Sequence, residues 1–377
     1  MFFWALLFLT VILSSIAGII YLVVKVNKFI FIKKLARNRL GISYAISAAI
    51  IFAAMSVLCL FLGMVNTVIV MLHLVVFWLL VQFVCYLIKK FGSKTIGADW
   101  QVITAIVITA AYLLFGAAQA YNVRQTDYTF KTDKNIGNLR VALLADSHLG
   151  TTFDADGFEK YLKCIQEQNP DTIVVVGDFV DEGTTASDMQ KACRALGKLN
   201  TKYGVYFVYG NHDKGIYSNG KRDFNGDDLA NELIKNGVSV LEDKSVLIDN
   251  RFYLIGRQDA SEETDFGGKR ADMATLTQNL DKDKYWIVLD HQPRDYSAQA
   301  ACGADLVLSG HTHGGQLIPL KQIAELTGVG GNDKIYGTEH NINSDFIVTS
   351  GISDWEISFK TGCFSEYVII DINQNSR

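Results

Sequence analysis

Three common functional signposts are missing from this sequence. Its six cysteines form no C-x-x-C pair. Cys59 and Cys85 fall in apolar runs, and Cys164, Cys193, Cys302 and Cys363 are scattered, so neither a thiolate zinc site nor a disulfide framework can be read. There is no cationic surplus: 35 Lys and Arg against 39 Asp and Glu leave a net charge of −4. That balance argues against a surface built to hold nucleic-acid phosphates. With three prolines in 377 residues, and no low-complexity or fixed-period stretch, repeat arrays and proline-rich spacers are excluded as well.

What the chain has in excess is apolar sequence, placed unevenly. The mean hydropathy of +0.18 averages an apolar first third with an ordinary globular remainder. Crossing a bilayer takes about 20 apolar residues, and four segments have that length: residues 2–24, 41–63, 65–88 and 100–121. The first lacks the basic start of a signal peptide, so it reads as a retained helix. Lys25, Lys28, Lys33, Lys34, Arg37 and Arg39 crowd the first loop, and Lys89, Lys90 and Lys94 face Asp99 in the third. Basic loops stay cytoplasmic, which places both termini, and whatever follows residue 121, on the extracytoplasmic side. The spans hold no acid and one histidine, His73. An ion path is therefore poorly supported, and His73 reads as a neutral packing residue.

Residues 123–137 are polar and read as a linker, and a globular domain follows over 138–377. Short β-branched runs at 139–145, 172–176, 205–209, 286–290 and 306–309 each end in a polar cluster, with helical-period stretches between several of them. This is an α/β pattern, in which sites collect at the carboxyl ends of strands. The chain has seven histidines, and five of them (His148, His212, His291, His311 and His313) sit at those ends beside Asp146, Asp178 and Asn211. A packed core does not explain so many polar groups. Nitrogen and oxygen donors without thiolates suit Mn, Fe or Zn.

The ordered set D-x-H (146–148), G-D-x-x-D (177–181), G-N-H-D (210–213), His291 and G-H-x-H (310–313) resembles the calcineurin-like metallophosphoesterase superfamily. The continuation Gly314-Gly315-Gln316, with Ser350-Gly351 and Trp355, resembles its bacterial membrane-associated phosphodiesterase branch. The resemblance implies a sandwich of two β-sheets flanked by helices, here preceded by an α-helical transmembrane bundle. It also implies two divalent metal ions. Asp146, His148 and His313 would hold the first, Asn211, His291 and His311 the second, and Asp178 would bridge them. His212 would donate the proton to the leaving oxygen, oriented by Asp181, while a hydroxide held between the metals attacks phosphorus.

One departure stands out. Protein phosphatases of the superfamily follow the second aspartate of G-D-x-x-D with arginine, whereas this chain has Glu182. A carboxylate facing the substrate would repel a phosphomonoester dianion, which favours diesters or pyrophosphates, lipid-linked ones included given the membrane spans. A phosphomonoesterase or nucleotide hydrolase on the same fold is the alternative, and a non-catalytic metal-bound receptor is a third reading. Arg257 could reach a substrate phosphate or make a surface ion pair. Residues 214–228 and 328–341 could rim the site, and His340 reads as exposed.

Overall fold

The computed structural model describes residues 2–92, 95–218, 220–328, 330–341 and 343–375, with side chains from Phe8 onward. Lys94 of the third basic loop, Asn219 and Val329 of the two rim loops, and the last two residues of the expected domain lie outside them. The chain divides into two units, residues 1–116 and 117–377.

The first unit is helical: α1 (Phe2–Val26), α2 (Ile30–Leu35), α3 (Leu40–Gly92) and α4 (Ala98–Tyr121), whose last turn belongs to the second unit. Among the described residues three helices are long and apolar enough to cross a membrane, namely α1, α3 and α4. The second and third expected spans are thus one helical run, broken where Gly63 takes φ 77° and ψ 169°, a region open to glycine but not to residues with a Cβ. The break reverses the run. Ser43 bonds Asn27, and Gln82 accepts from Lys25 at 2.7 Å, so two neighbouring positions at the end of α1 reach both limbs of α3. A straight helix would hold Ser43 and Gln82 about 58 Å apart. His73 bonds the Ile69 carbonyl of its own helix at 2.8 Å and lies against Phe77 and Tyr112.

The second unit is a β-sandwich. Its strands are β1 (Arg124–Thr132), β2 (Asn138–Leu144), β3 (Thr172–Val176), β4 (Val205–Val208), β5 (Val238–Val240), β6 (Lys244–Ile248), β7 (Phe252–Gly256), β8 (Tyr285–Leu289), β9 (Leu306–Ser309), β10 (Gly337–Asn341), β11 (Ser344–Val348) and β12 (Glu366–Gln374). One sheet has the order β1-β12-β2-β3-β4-β5 and the other β10-β11-β9-β8-β7-β6. The linker expectation needs correction, because nine of its residues are strand β1, paired in parallel with β12 from Arg124↔Glu366 to Thr132↔Gln374. Its side chains alternate between exposed and half-buried, as an edge strand allows.

Alternation within the strands builds the layers. Val141, Leu143, Val174, Val176 and Val208 point into the space between the sheets, against Phe252, Leu254, Ile287, Leu289, Leu306 and Leu308. Their neighbours Ala142, Leu144, Ile173 and Val175 face α5 (Ala155–Glu167), α6 (Ala186–Gly197) and α7 (Gly226–Lys235) through Phe158, Leu162, Leu196 and Leu229. Strands buried on both faces read as continuous apolar runs. Strands β2–β5 run parallel, as do β7, β8, β9 and β11. Their carboxyl ends meet along one edge of the sandwich, where backbone bonds join the two sheets: Ile352 N–H donates to Ala145 O at 3.0 Å and Ser353 N–H to Asp146 O at 3.1 Å.

Candidate metal centre

Each polar cluster follows a strand of that edge: Asp146 and His148 after β2, Asp178 and Asp181 after β3, Asn211 and His212 after β4, His291 after β8, and His311 and His313 after β9. The structure gathers all of them. Asp146, His148 and His313 bring ligand atoms within 4.8 Å of one another, and so do Asp178, His291 and His311. Asp178 Oδ2 lies 3.6 Å from His148 Nε2 and 3.1 Å from His291 Nε2, so one carboxylate oxygen faces both groups. Asn211 Oδ1 is 2.9 Å from His311 Nδ1, beside the second group.

These residues fit metal ions. His148 is fully buried, yet its ring nitrogens meet only the carboxylates of Asp178 and Asp181 at 3.6 and 3.5 Å, and His291 Nε2 faces Asp178 Oδ2 at 3.1 Å without an aligned hydrogen bond. Buried imidazole nitrogens that make no aligned hydrogen bond are costly unless something else satisfies them. Supporting bonds hold the rings in place. The Val176 carbonyl lies 2.9 Å from His291 Nδ1, which turns Nε2 toward Asp178, the way an outer contact orients a metal-binding histidine. Burial and the charge of His291 push His311 down to about 3, so it stands neutral and free to ligate. Burial pushes Asp146 up to about 6. For Asp178 burial is outweighed by the charges of His291 and His212, which pull it well below the carboxylate range.

The backbone is strained where these candidate ligands sit. Asp146, His148, Asp178, His311 and His313 have φ of 53°, 36°, 51°, 70° and 48°. Non-glycine residues rarely adopt these angles, and clusters of them mark functional sites. Two motif glycines make room. A Cβ on Gly210 would collide with the Asp178 carboxylate, and one on Gly310 with that of Asp146.

His212 lies beside this cluster, with its ring 4.9 Å from that of His148. Asp181 Oδ1 lies 3.4 Å from His212 Nδ1 and 3.5 Å from His148 Nδ1. The nearer partner is Glu182, whose Oε1 is 2.6 Å from His212 Nδ1. The sequence reading pointed this carboxylate at the substrate, whereas the structure turns it onto the imidazole. Burial lowers the pKa of His212, but Asp178, Asp181 and Glu182 together raise it to about 10. Tyr217 and Trp355 frame its ring at 4.9 and 5.2 Å.

Several supporting residues escaped the sequence reading. Asp213, fully buried, accepts from the backbone N–H groups of Asp178, Phe179, Val180 and Gly210 at 2.7–3.1 Å. The motif displayed this residue but not its role. Arg222, in the first rim loop, is also buried, and it donates to the carbonyls of His212 and Asp213 at 3.1 and 2.6 Å. That part of the loop is a brace behind the site. In the second rim loop the Ile335 carbonyl accepts from Thr312 at 2.6 Å. Arg257 neither reaches out nor lies at the surface. It is 3 % exposed and pairs with Asp290 at 2.9 Å, and Arg270 pairs with the same aspartate from another segment. His340 is exposed and pairs with Asp345 at 2.8 Å. All six cysteines are free.

Comparison with known proteins adds the family. Residues 139–315 match the calcineurin-like phosphoesterase family. An uncharacterized metallophosphoesterase of Aquifex aeolicus is 33% identical over 207 residues, which cover 53% of this chain and 73% of that protein. One from Campylobacter jejuni is 26% identical over 277 residues, covering 71% and 68%. A transmembrane protein with a metallophosphoesterase domain from Danio rerio is 30% identical over 243 residues, covering 61% of this chain and 54% of that relative, about half its length.

The crowding at Gly310 gives a test of the site. Gly310→Ala is expected to lower bound Mn by about one ion per chain in elemental analysis. Gly183→Ala, whose Cβ meets nothing within 4 Å, should keep the parental metal content. Equal metal in both variants would contradict the assignment of Asp146 as a ligand.

Proposed function

The chain belongs to the calcineurin-like phosphoesterase family and is a metal-dependent phosphoesterase, and from that premise we propose how the site is loaded and what it hydrolyses. Asp146, His148 and His313 hold one divalent ion, Asn211, His291 and His311 a second, and Asp178 is shared. The observation carrying this reading is the single oxygen, Asp178 Oδ2, faced by His148 from one group and His291 from the other. The nitrogen and oxygen donors suit Mn, Fe or Zn. When bound, such ions offset the charge of the phosphate and supply hydroxide near neutral pH.

The protein's own residues do the rest. His212, whose protonated form the neighbouring carboxylates favour and which is not needed as a ligand, gives its proton to the departing oxygen. Glu182 and Asp181 fix its ring through Nδ1, which leaves Nε2 to face the leaving group. Tyr217 and Trp355 offer flat, largely apolar surface where the leaving group departs. That surface favours a phosphodiester or pyrophosphate with an organic leaving group. A monoesterase or nucleotide hydrolase would use the same ligands, and relative turnover of diesters and monoesters separates the two. The helical unit is a multi-pass anchor, and the basic residues after α1 and around Lys89 favour an extracytoplasmic catalytic unit.

Three outcomes are expected. The Mn-loaded full chain should hydrolyse bis(p-nitrophenyl) phosphate faster than p-nitrophenyl phosphate, and Asp178→Asn should lose at least about 100-fold in kcat. A faster monoester rate would reverse the substrate assignment. Glu182→Gln should slow alkyl-leaving-group diesters about tenfold more than p-nitrophenyl diesters, because a poor leaving group depends most on its proton donor. Equal losses on both would remove Glu182 from that role. Alkaline phosphatase fused at the C-terminus should be active and a cytoplasm-dependent fluorescent protein dark; the opposite pattern would invert the topology.

A further inference from the structure

The helix Leu320–Thr327 follows the G-H-T-H-G-G-Q loop directly and has no buried residue. Ile318, Leu320, Ile323 and Leu326 are 44, 42, 45 and 87 % exposed, and the three within the helix recur every third residue. A large apolar face open to water on the rim of a site calls for an occupant. Two features of this unit point to the occupant.

The first is where the chain joins the sandwich. Strand β1 runs parallel to β12, and β12 antiparallel to β2, so the start of β1 lies at the carboxyl end of β2, which carries Asp146 and His148. Helix α4, apolar enough to cross a membrane, ends at Tyr121, and β1 begins at Arg124. Two residues lie between them, so the metal-bearing edge begins within a few ångströms of where that helix ends.

The second is a run of bonds leading from that junction to the exposed helix. Ser365 N–H donates to Gln119 O at 3.0 Å and its hydroxyl to Ala120 O at 2.7 Å. Four residues earlier, Thr361 N–H donates to Gln316 O at 2.9 Å, and its hydroxyl accepts from Ile318 N–H at 3.0 Å. Cys363, between them, donates its thiol to the His313 carbonyl at 3.2 Å. The residues leading into the apolar helix, the loop of His313 and the last turn of α4 are therefore all fastened to the single segment 361–365.

We propose that the helix Leu320–Thr327 lies in the lipid interface with Ile323 and Leu326 among the acyl chains, and that the phosphoester cleaved beside it is carried on a lipid head group. A short amphipathic helix next to a membrane anchor needs little apolar area of its own, because the anchor already holds it at the surface. The choice of a lipid rests on the phosphoesterase reading above and narrows its substrate. The interfacial helix does not depend on turnover.

The test uses the full chain, Mn-loaded, in phosphatidylcholine nanodiscs, with two substrates sharing one reacting group: soluble bis(p-nitrophenyl) phosphate and a diacylglycerol phosphodiester of p-nitrophenol placed in the disc. Ile323→Gln/Leu326→Gln should keep soluble turnover within about twofold and lose at least about tenfold on the lipid diester. Equal turnover of the lipid diester by parent and variant would overturn the helix's part in presenting it. A parent that cleaves the soluble diester but not the lipid one overturns the lipid substrate and leaves the phosphoesterase reading standing, whereas a metal-loaded parent inert on both defeats that reading. Hydrogen exchange decides the helix independently. Amides of residues 320–327 should exchange at least about fivefold more slowly in nanodiscs than in a lipid-free amphipol, and equal rates would remove the helix from the bilayer.

Discussion

The buried carboxylate of Asp213 holds the centre together. Four backbone N–H groups, three from the loop after β3 and one from the loop after β4, converge on its two oxygens. Loops that leave neighbouring strands would otherwise diverge, and the carboxylate satisfies donors that no ladder reaches. Asp178 and Asn211 take their positions from this clamp, and His212 N–H adds a bond of 2.9 Å to Asp178 Oδ1. Burial pushes Asp213 up to about 6, against the lowering effect of its backbone bonds. Arg222 then caps the carbonyls of His212 and Asp213 from behind. The sequence G-N-H-D therefore combines one glycine for clearance, two functional side chains and the anchor for both loops.

The same logic extends to the second sheet with different chemistry. Asp290, the residue before His291, lies between the buried guanidinium groups of Arg257 and Arg270, and Gln299 adds a bond at 2.6 Å. A buried charge is tolerated only when paired and bonded. Here the pairing ties the end of β7, the segment before Met273 and the loop after β8 at the root of His291. Behind the third wall, Lys360 is fully buried, donating to Ser350 O and Ser353 O and pairing with Asp354 at 3.2 Å. Each wall has a buried charge that fixes backbone, while the clustered aspartates and histidines sit at φ values they would not choose alone. Position is obtained at the expense of local strain.

Much of this was legible in the sequence, for physical reasons. Strands buried on both faces must be continuous apolar runs, so 139–145, 172–176 and 306–309 marked their own ends, and the polar residues after them marked the site. Strand β1 was hidden because an edge strand with one face in water alternates like a polar connector; Arg124, Asp127 and Lys131 do not look like sheet. The run Leu40–Gly92 looks like two spans because Gly63 lies in the middle of it, and the backbone turns back there. Long-range pairings left no local trace. Arg257 is 33 residues from Asp290, and nothing near either position records that they meet.

Glu182 shows the limit most clearly, since its identity was visible and its direction was not. Read as a side chain facing the substrate, it adds a repulsive charge. Turned onto His212 Nδ1 it does the opposite, because a carboxylate that accepts from one ring nitrogen fixes the tautomer and favours the protonated ring. The residue that stands where protein phosphatases have arginine thus faces an imidazole rather than a phosphate. An arginine would offer a charged fork to a phosphate dianion. In this chain the corresponding carboxylate favours the protonated form of His212, whose ring lies beside those of Tyr217 and Trp355. If His212 is the proton donor proposed above, a site built in this way would select less by charge on phosphorus than by the shape and polarity of what leaves it.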